Sequence, residues 1–122
     1  MLKRILFFDD DTDQRRYYGR AADRLGHQHI IVDNGARAWE LIQSGESFDL
    51  IFSDNDMPEM TGIELLRLVR ANEATKQTPF VLFTGNDSAA LQREARELGA
   101  VFEDKGALRS LLDIISDNLP AI

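Results

Sequence analysis

The stretch DLIFSDNDMPEMTG, residues 49–62, decides how this chain folds. Its apolar run from Leu50 to Phe52 predicts a short buried strand. A polar group, residues 54–56, follows at the point where this strand ends. In sheets of parallel strands the functional groups collect at the carboxyl ends of the strands. The stretch therefore predicts a strand that carries acidic side chains to one edge of a sheet.

Other apolar runs of similar length lie on both sides of this stretch. They are Ile5 to Phe8, Ile30 to Val32, Phe80 to Phe83 and, more weakly, Ala100 to Glu103. Segments with helical spacing alternate with them: Thr12 to Leu25, Ala36 to Gln43, Ile63 to Val69, Ala89 to Leu98 and Leu108 to Leu119. Strands that are apolar throughout are covered by helices on both faces. The pattern predicts a doubly wound α/β fold with five parallel strands and five helices.

The first and last helices have predicted core-facing sides. In the first helix this side consists of Tyr17, Ala21, Ala22 and Leu25. In the last helix it begins at Leu108 and continues through Leu111, Leu112 and Ile115.

The composition predicts one domain spanning residues 1–122. The chain has 43% hydrophobic residues, which is enough for one core, and no linker-like segment divides it. It has no cysteine, no apolar run near the roughly 18 residues of a membrane span, and no signal-peptide pattern. We therefore expect a cytoplasmic protein without membrane contact. A net charge of −7 disfavours direct nucleic-acid binding, which needs clustered Lys and Arg.

Acidic residues follow two strands whose ends should meet. Asp9 and Asp10 come directly after the first strand, and Asp54 comes directly after the third. Carboxylates brought together repel each other unless a cation compensates, and a set of oxygen ligands suits Mg²⁺. The cluster predicts a magnesium site. The neighbouring Asp11 is predicted to cap the helix that begins at Thr12.

Two more side chains are predicted at the same edge. Thr84 ends the fourth strand beside Gly85, which we expect to permit a close approach of another group. Lys105 follows the fifth strand, in a chain with eleven arginines and three lysines. Taken singly, Thr84 fits an ordinary strand end and Lys105 a solvated surface charge. Together with the acids they describe a phosphoryl site with a carboxylate nucleophile, a metal, a hydroxyl and a compact cation.

These motifs resemble the receiver domains of two-component response regulators over the whole chain. ILFFDDD, residues 5–11, is similar to the first strand and acidic pair of that family, and DLIFSDNDMPEMTG to its phosphoacceptor strand and Met-Pro loop. PFVLFTG, residues 79–85, resembles the strand with the hydroxyl, and LGAVFEDK, residues 98–105, the strand with the lysine. The most specific element is D-x-x-M-P-x-M-x-G, from Asp54 to Gly62.

The resemblance implies a flavodoxin-like sheet with strand order 2-1-3-4-5 and a magnesium-dependent switch rather than an enzyme. Asp54 would accept a phosphoryl group from a histidine kinase, a phosphotransfer protein or a small acyl phosphate. Asp10 and Asp54 would bind Mg²⁺ directly, Asp9 through a water molecule, and Asp56 through its backbone carbonyl.

The resemblance also implies how the switch works. Lys105 would pair with Asp54 or its phosphoryl oxygens, the Thr84 hydroxyl would move to the phosphoryl group, and Phe102 would rotate inward behind it. A downstream protein would dock on the face formed by the fourth helix, the fifth strand and the fifth helix.

The fifth strand departs from the family pattern. The segment from Gly99 to Lys105 is one residue shorter than usual, and Gly106 replaces the usual proline. We expect the shortening to leave Phe102 permanently in the core and to turn Glu103 toward solvent or Arg109. The alternative is the family register, in which Glu103 would point into the core.

Two other functions compete with the phosphorylated switch. A pseudo-receiver of the same fold would bind partners without phosphorylation. A metal-dependent phosphatase with an Asp-x-Asp nucleophile would resemble the DND of residues 54–56, but such enzymes carry the motif after the first strand and cover the substrate with a lid. Retention of every acid, the hydroxyl and the lysine favours the phosphorylated switch.

Overall fold

The computed structural model describes residues 3–86 and 88–120, so the ends of the predicted domain lie outside it. Within this part, strands and helices alternate. The strands are β1 (Arg4–Phe8), β2 (Gln28–Val32), β3 (Leu50–Ser53), β4 (Phe80–Thr84) and β5 (Val101–Asp104). The helices are α1 (Thr12–Leu25), α2 (Gly35–Gln43), α3 (Gly62–Ala71), α4 (Ala89–Glu97) and α5 (Leu111–Asn118). The predicted alternation is confirmed.

The five strands form one parallel sheet in the order β2-β1-β3-β4-β5, as predicted. The winding reverses between β1 and β3, which are neighbours at its centre. Phe8 pairs with Ser53, so the two strands end at the same level. The residues that follow, Asp9 and Asp54, therefore emerge side by side at the switch point of the sheet, where α/β proteins place their ligand sites.

Helices cover both faces of the sheet. Alternate residues of β1 point to opposite faces: Ile5 and Phe7 pack with α1 and α5, and Leu6 and Phe8 with α2, α3 and α4. The central strands β1, β3 and β4 are almost completely buried, and the edge strands β2 and β5 are partly exposed. None of the helices in the described ranges is long and apolar enough to span a membrane.

The core-facing side of α1 differs from the prediction. Tyr17 is 51% exposed, whereas the adjacent Tyr18 is completely buried together with Ala21 and Ala22. The predicted burial of Tyr17 is therefore wrong. The spacing i, i+3, i+4 that starts at Tyr18 is the spacing of one helical stripe, which explains why Tyr18 is the residue that faces the sheet.

The start of α5 also differs from the prediction. The helix begins at Leu111, and Leu108 is fully exposed in the preceding connection. Ala107 N donates to Asp104 O, so the chain turns at this point instead of continuing as a helix. Leu111 is the first residue of the segment that reaches the core beside Ile115.

The expectation that Phe102 lies permanently in the core is met only in part. Phe102 is half-buried against the core between the sheet and α2, α3 and α4. Glu103 accepts a hydrogen bond from the Arg109 guanidinium, so its charge is paired. Phe102 pairs with Leu82 of β4, and backbone pairing extends to Lys105, whose N–H donates to Thr84 O at 3.0 Å.

We predict that Gly62→Ala destabilises the fold. A Cβ atom at Gly62 would lie 2.1 Å from the Asp54 carbonyl oxygen and 2.8 Å from Leu82 Cδ1, so backbone would have to move. We expect the free energy of unfolding, measured by urea denaturation, to fall by about 3 kcal/mol. Gly85→Ala is the matched control, because a Cβ there meets nothing within 4 Å, and its effect should stay within about 0.5 kcal/mol. Equal losses in the two variants would contradict the packing argument.

Candidate functional site

The predicted acids meet at the carboxyl ends of β1 and β3. One carboxylate oxygen from each of Asp9, Asp10 and Asp54 lies within 4.8 Å of the others. Asp9 is completely buried and Asp54 is 7% exposed, while Asp10 is open to solvent. The fold thus concentrates negative charge at a place where two of the three carboxylates have little access to water.

Both oxygens of the Asp9 carboxylate are held by donors. Oδ1 accepts from the backbone N–H of Asp11 at 3.0 Å. Oδ2 accepts from the Tyr18 hydroxyl at 2.7 Å and from Lys105 Nζ at 3.2 Å. The satisfied hydrogen bonds offset the cost of burying this carboxylate.

Asp54 shares the same lysine. Its Oδ1 accepts from the Asn55 N–H at 2.8 Å and lies 3.5 Å from Lys105 Nζ. Burial raises the pKa of Asp54, the Lys105 ammonium opposes this rise, and the nearby Asp9 adds to it. Lys105 is therefore the cation that bridges the two buried carboxylates.

The loop after Asp54 folds back onto the start of α3. The side-chain oxygen of Asn55 accepts from Ile63 N at 3.0 Å, and its carbonyl oxygen accepts from Gly62 N at 3.1 Å. Within the loop, Glu59 has a φ of 69°, a left-handed conformation that is uncommon outside glycine. The loop is thereby held closely against the end of β3.

The Asp56 side chain links this loop to β4. Its Oδ2 accepts from the Thr84 hydroxyl at 3.2 Å, and its Oδ1 accepts from the Asn86 side-chain amide at 3.4 Å. The expected role of Asp56 involves its backbone carbonyl, and this side-chain contact is an addition that the sequence did not reveal. A Cβ at Gly85 would meet nothing within 4 Å, so the expected approach of another group at this glycine stays a prediction. The glycine that protein atoms enclose tightly at the site is Gly62.

Asp11 has the structural role predicted for it. Its carboxylate accepts from the backbone N–H groups of Asp13 at 2.8 Å and Gln14 at 3.0 Å, which caps α1. Its side chain is thus occupied at the helix terminus, although its own N–H contacts Asp9.

Tyr18 is the main site residue that the sequence analysis missed. Burial raises the pKa of its hydroxyl far above the ordinary value, and the charge of Asp9 raises it further, so the group is a hydrogen-bond donor. Tyr18, Ala21 and Ala22 have helical spacing and are buried together, but Tyr17, Ala21 and Leu25 also have helical spacing, so the sequence did not decide between the two tyrosines.

The donor set fits a hard divalent cation such as Mg²⁺. All three clustered ligand groups are carboxylates, with no imidazole or thiolate among them. The exposed Asp10 carboxylate forms no hydrogen bond or ion pair with residues 3–86 or 88–120, so its oxygens are available as ligands.

Comparison with known proteins agrees with this geometry. The family model described as "Response regulator receiver domain" matches residues 5–102. The response regulator receiver protein CpdR of Brucella abortus is 38% identical, over 98% of this chain and 99% of that protein. A CheY homolog, a chemotaxis protein of Campylobacter jejuni, is 33% identical over 66% of this chain and 63% of that protein.

A solved structure has the same fold. The chemotaxis response regulator CheY4 of Vibrio cholerae superposes with a TM-score of 0.84 and 27% sequence identity, covering 98% of this chain and 100% of that one. The family match, the relatives and the geometry of the acidic cluster lead to one conclusion. The chain belongs to the receiver domain family of response regulators.

Proposed function

We propose that this chain is a cytoplasmic switch that accepts a phosphoryl group on Asp54 and then changes its affinity for a partner protein. Receiver domains are signalling switches and not conventional enzymes. The observation that carries the proposal is the buried Asp54 carboxylate, which lies beside Asp9 and Asp10 and 3.5 Å from Lys105 Nζ. The only reactions proposed for the chain are its own phosphorylation and dephosphorylation.

Asp54 is suited to act as the nucleophile. Its Oδ1 is held by the Asn55 N–H and Lys105, while Oδ2 has no hydrogen bond from the described residues. In the proposed reaction a carboxylate oxygen attacks phosphorus, the bond from phosphorus to the donor breaks, and the donor leaves with the bonding electrons. The product is an acyl phosphate on Asp54. The donor would be the phosphohistidine of a kinase or phosphotransfer protein, or a small acyl phosphate.

Receiver domains generally bind Mg²⁺ at such an aspartate cluster. In this chain Asp10 and Asp54 would hold the ion directly, Asp9 through water, and Asp56 through its carbonyl oxygen. The ion would offset the charge that accumulates on the transferring phosphoryl group. Lys105 would offset the same charge from the other side, since its ammonium already lies between Asp9 and Asp54.

The conformational change that follows phosphorylation would begin at Thr84. In the structure its hydroxyl donates to Asp56, so this hydrogen bond would have to break before the hydroxyl could donate to a phosphoryl oxygen. Thr84 is the last residue of β4, next to β5 and α4. We therefore propose that the α4–β5–α5 face binds the downstream protein. Direct nucleic-acid binding is not part of this proposal, given the net charge of −7.

A phosphorylation-independent pseudo-receiver is not favoured. The acids, the hydroxyl and the lysine are all present: Asp9, Asp10 and Asp54 form a cluster, Lys105 contacts Asp9 and Asp54, and the Thr84 hydroxyl donates to Asp56. A module that bound only through constitutive contacts would not require a partly buried lysine between two buried carboxylates.

We predict a characteristic pH dependence of stability in EDTA. Because the pKa of Asp54 is raised in the folded state, the folded protein binds this proton more tightly than the unfolded chain does. Ionisation of Asp54 therefore costs stability, and its contribution to the free energy of unfolding falls as pH rises from the ordinary aspartate range through the raised pKa. Asp54→Asn has no carboxylate to ionise, so the free energy of unfolding of this variant should increase relative to that of wild type as pH rises from the ordinary aspartate range through the raised pKa. Urea denaturation at a series of pH values in this range measures the difference. If the free energies of unfolding of the two proteins changed in parallel with pH, the prediction would be contradicted.

We predict that Asp54 alone accepts phosphate. After incubation with acetyl phosphate and Mg²⁺, intact-mass spectrometry should show an adduct of one phosphoryl group in wild type and none in Asp54→Asn. Asp11→Asn is the control, because asparagine also caps helices and the adduct should persist. EDTA should abolish labelling. An adduct in Asp54→Asn, or equal labelling in EDTA, would contradict the assignment.

We predict that activation changes the α4–β5–α5 face. Beryllofluoride with Mg²⁺ mimics the phosphoryl group, and amide chemical shifts should change along β5 and the adjoining sides of α4 and α5. A change of one to two orders of magnitude in partner affinity requires only about 1.4 to 2.8 kcal/mol of differential binding. Shift changes confined to the loops around Asp10 and Asp54 would argue against this face.

A further inference from the structure

The Tyr18 hydroxyl connects the hydrophobic core to the acid cluster. It belongs to α1, it is completely buried, and it donates to Asp9 Oδ2 at 2.7 Å. We propose that Tyr18 is a positioning residue. Its hydroxyl fixes the orientation of the Asp9 carboxylate for cation binding and weakens the ion pair between Asp9 and Lys105. This inference rests on the magnesium site proposed above and adds a residue that acts through Asp9.

The position of the Tyr18 ring is determined by aromatic packing. The ring stacks on Phe7, with centroids 5.0 Å apart and planes 6° from parallel. The Phe52 and Phe83 rings form T-shaped pairs with it, with centroids 5.4 and 6.3 Å away. Rings in such a cluster have little freedom to move. The place of the hydroxyl is therefore set by the core, and Asp9 adjusts to it.

The hydrogen bond restrains a carboxylate that is already held on its other side. Asp9 Oδ1 accepts from the Asp11 N–H at 3.0 Å, while Oδ2 accepts from Tyr18. Donors on both oxygens fix the rotation of the carboxylate plane. Since Asp9 is completely buried, bulk solvent competes little for the Tyr18 bond. A ligand group that is oriented before the cation arrives loses little freedom on binding.

The same bond affects Lys105. The Lys105 ammonium lies 3.2 Å from Asp9 Oδ2 and 3.5 Å from Asp54 Oδ1, so the two carboxylates share it. Tyr18 supplies one of the side-chain donors that Asp9 Oδ2 requires. Without the hydroxyl, Lys105 would be the remaining side-chain donor to that oxygen and would be drawn away from Asp54. Tyr18 thus favours both an oriented Asp9 and a Lys105 available to the phosphoryl group.

Tyr18→Phe tests this role because it removes the hydroxyl and keeps the ring in the aromatic cluster. Loss of a hydrogen-bond partner behind a metal ligand commonly weakens metal binding by about 10- to 100-fold. We expect the Mg²⁺ dissociation constant, measured by isothermal titration calorimetry, to rise about tenfold, at the lower end of that range because Asp9 keeps two other donors. Tyr17→Phe is the matched control: it makes the same chemical change at the adjacent, 51% exposed position, and it should leave the constant within about twofold.

A spectroscopic measurement separates positioning from packing. The wild-type protein should show a downfield, slowly exchanging hydroxyl proton in its ¹H spectrum, which shifts when Mg²⁺ is added. The resonance should be absent in Tyr18→Phe and retained in Tyr17→Phe. The Mg²⁺ affinities are compared at a temperature well below the unfolding transitions of all three proteins. A loss of stability in Tyr18→Phe therefore does not affect the measured affinity.

The outcomes distinguish this inference from the proposed function. A tenfold loss of Mg²⁺ affinity in Tyr18→Phe, with the affinity of Tyr17→Phe unchanged, supports the positioning role. Equal Mg²⁺ affinities of wild type and Tyr18→Phe, or tighter binding by the variant, would overturn the positioning role and leave the magnesium site intact. Wild-type protein that bound no Mg²⁺ would overturn the magnesium site itself and this inference with it.

Discussion

The structure depends on how the repulsion between Asp9 and Asp54 is offset. These two carboxylates are buried at the ends of adjacent strands. In a medium of low polarity, neighbouring like charges destabilise the folded state unless a cation offsets them. Lys105 supplies the internal part of that compensation, with its ammonium within 3.5 Å of an oxygen of each acid. The exposed Asp10 adds negative charge that no described residue pairs, so the cluster is suited to a further cation. The proposed metal binding and the proposed phosphorylation of Asp54 therefore rest on one electrostatic constraint.

The rest of the fold serves to maintain this arrangement. Parallel pairing of β1 with β3 brings the two acids to the same level. Pairing of β5 with β4 delivers Lys105 from a distant part of the sequence. Gly62 lets α3 begin against the backbone of Asp54, where any side chain would collide with the carbonyl oxygen. A shift of one residue in β1, β3 or β5 would move a charge away from its partner.

The site contacts the core on one side and, on the other, the end of β4 beside the face proposed to bind a partner. The aromatic cluster on the α1 and α5 side ends in the Tyr18 hydroxyl and so reaches Asp9 directly. On the opposite side, Asp56 holds the Thr84 hydroxyl at the end of β4, next to the strand that carries Phe102. Phe102 is already packed against the core, so the switch proposed for Thr84 would not require a solvent-exposed ring to enter.

The sequence alone determined the order of the elements, the parallel sheet and the acids and lysine at its carboxyl edge. Apolar strand runs and helical spacing are local patterns, and a parallel sheet brings strand ends to one edge, so Asp9, Asp54 and Lys105 were identifiable from their places in the chain. The tertiary structure decided which oxygen meets which donor. Whether Tyr17 or Tyr18 enters the core depends on how α1 is rotated about its axis, and the link from Asp56 to Thr84 depends on a loop held by Asn55 and Gly62. These contacts join residues far apart in sequence, and their partners are selected by packing, which no local pattern records.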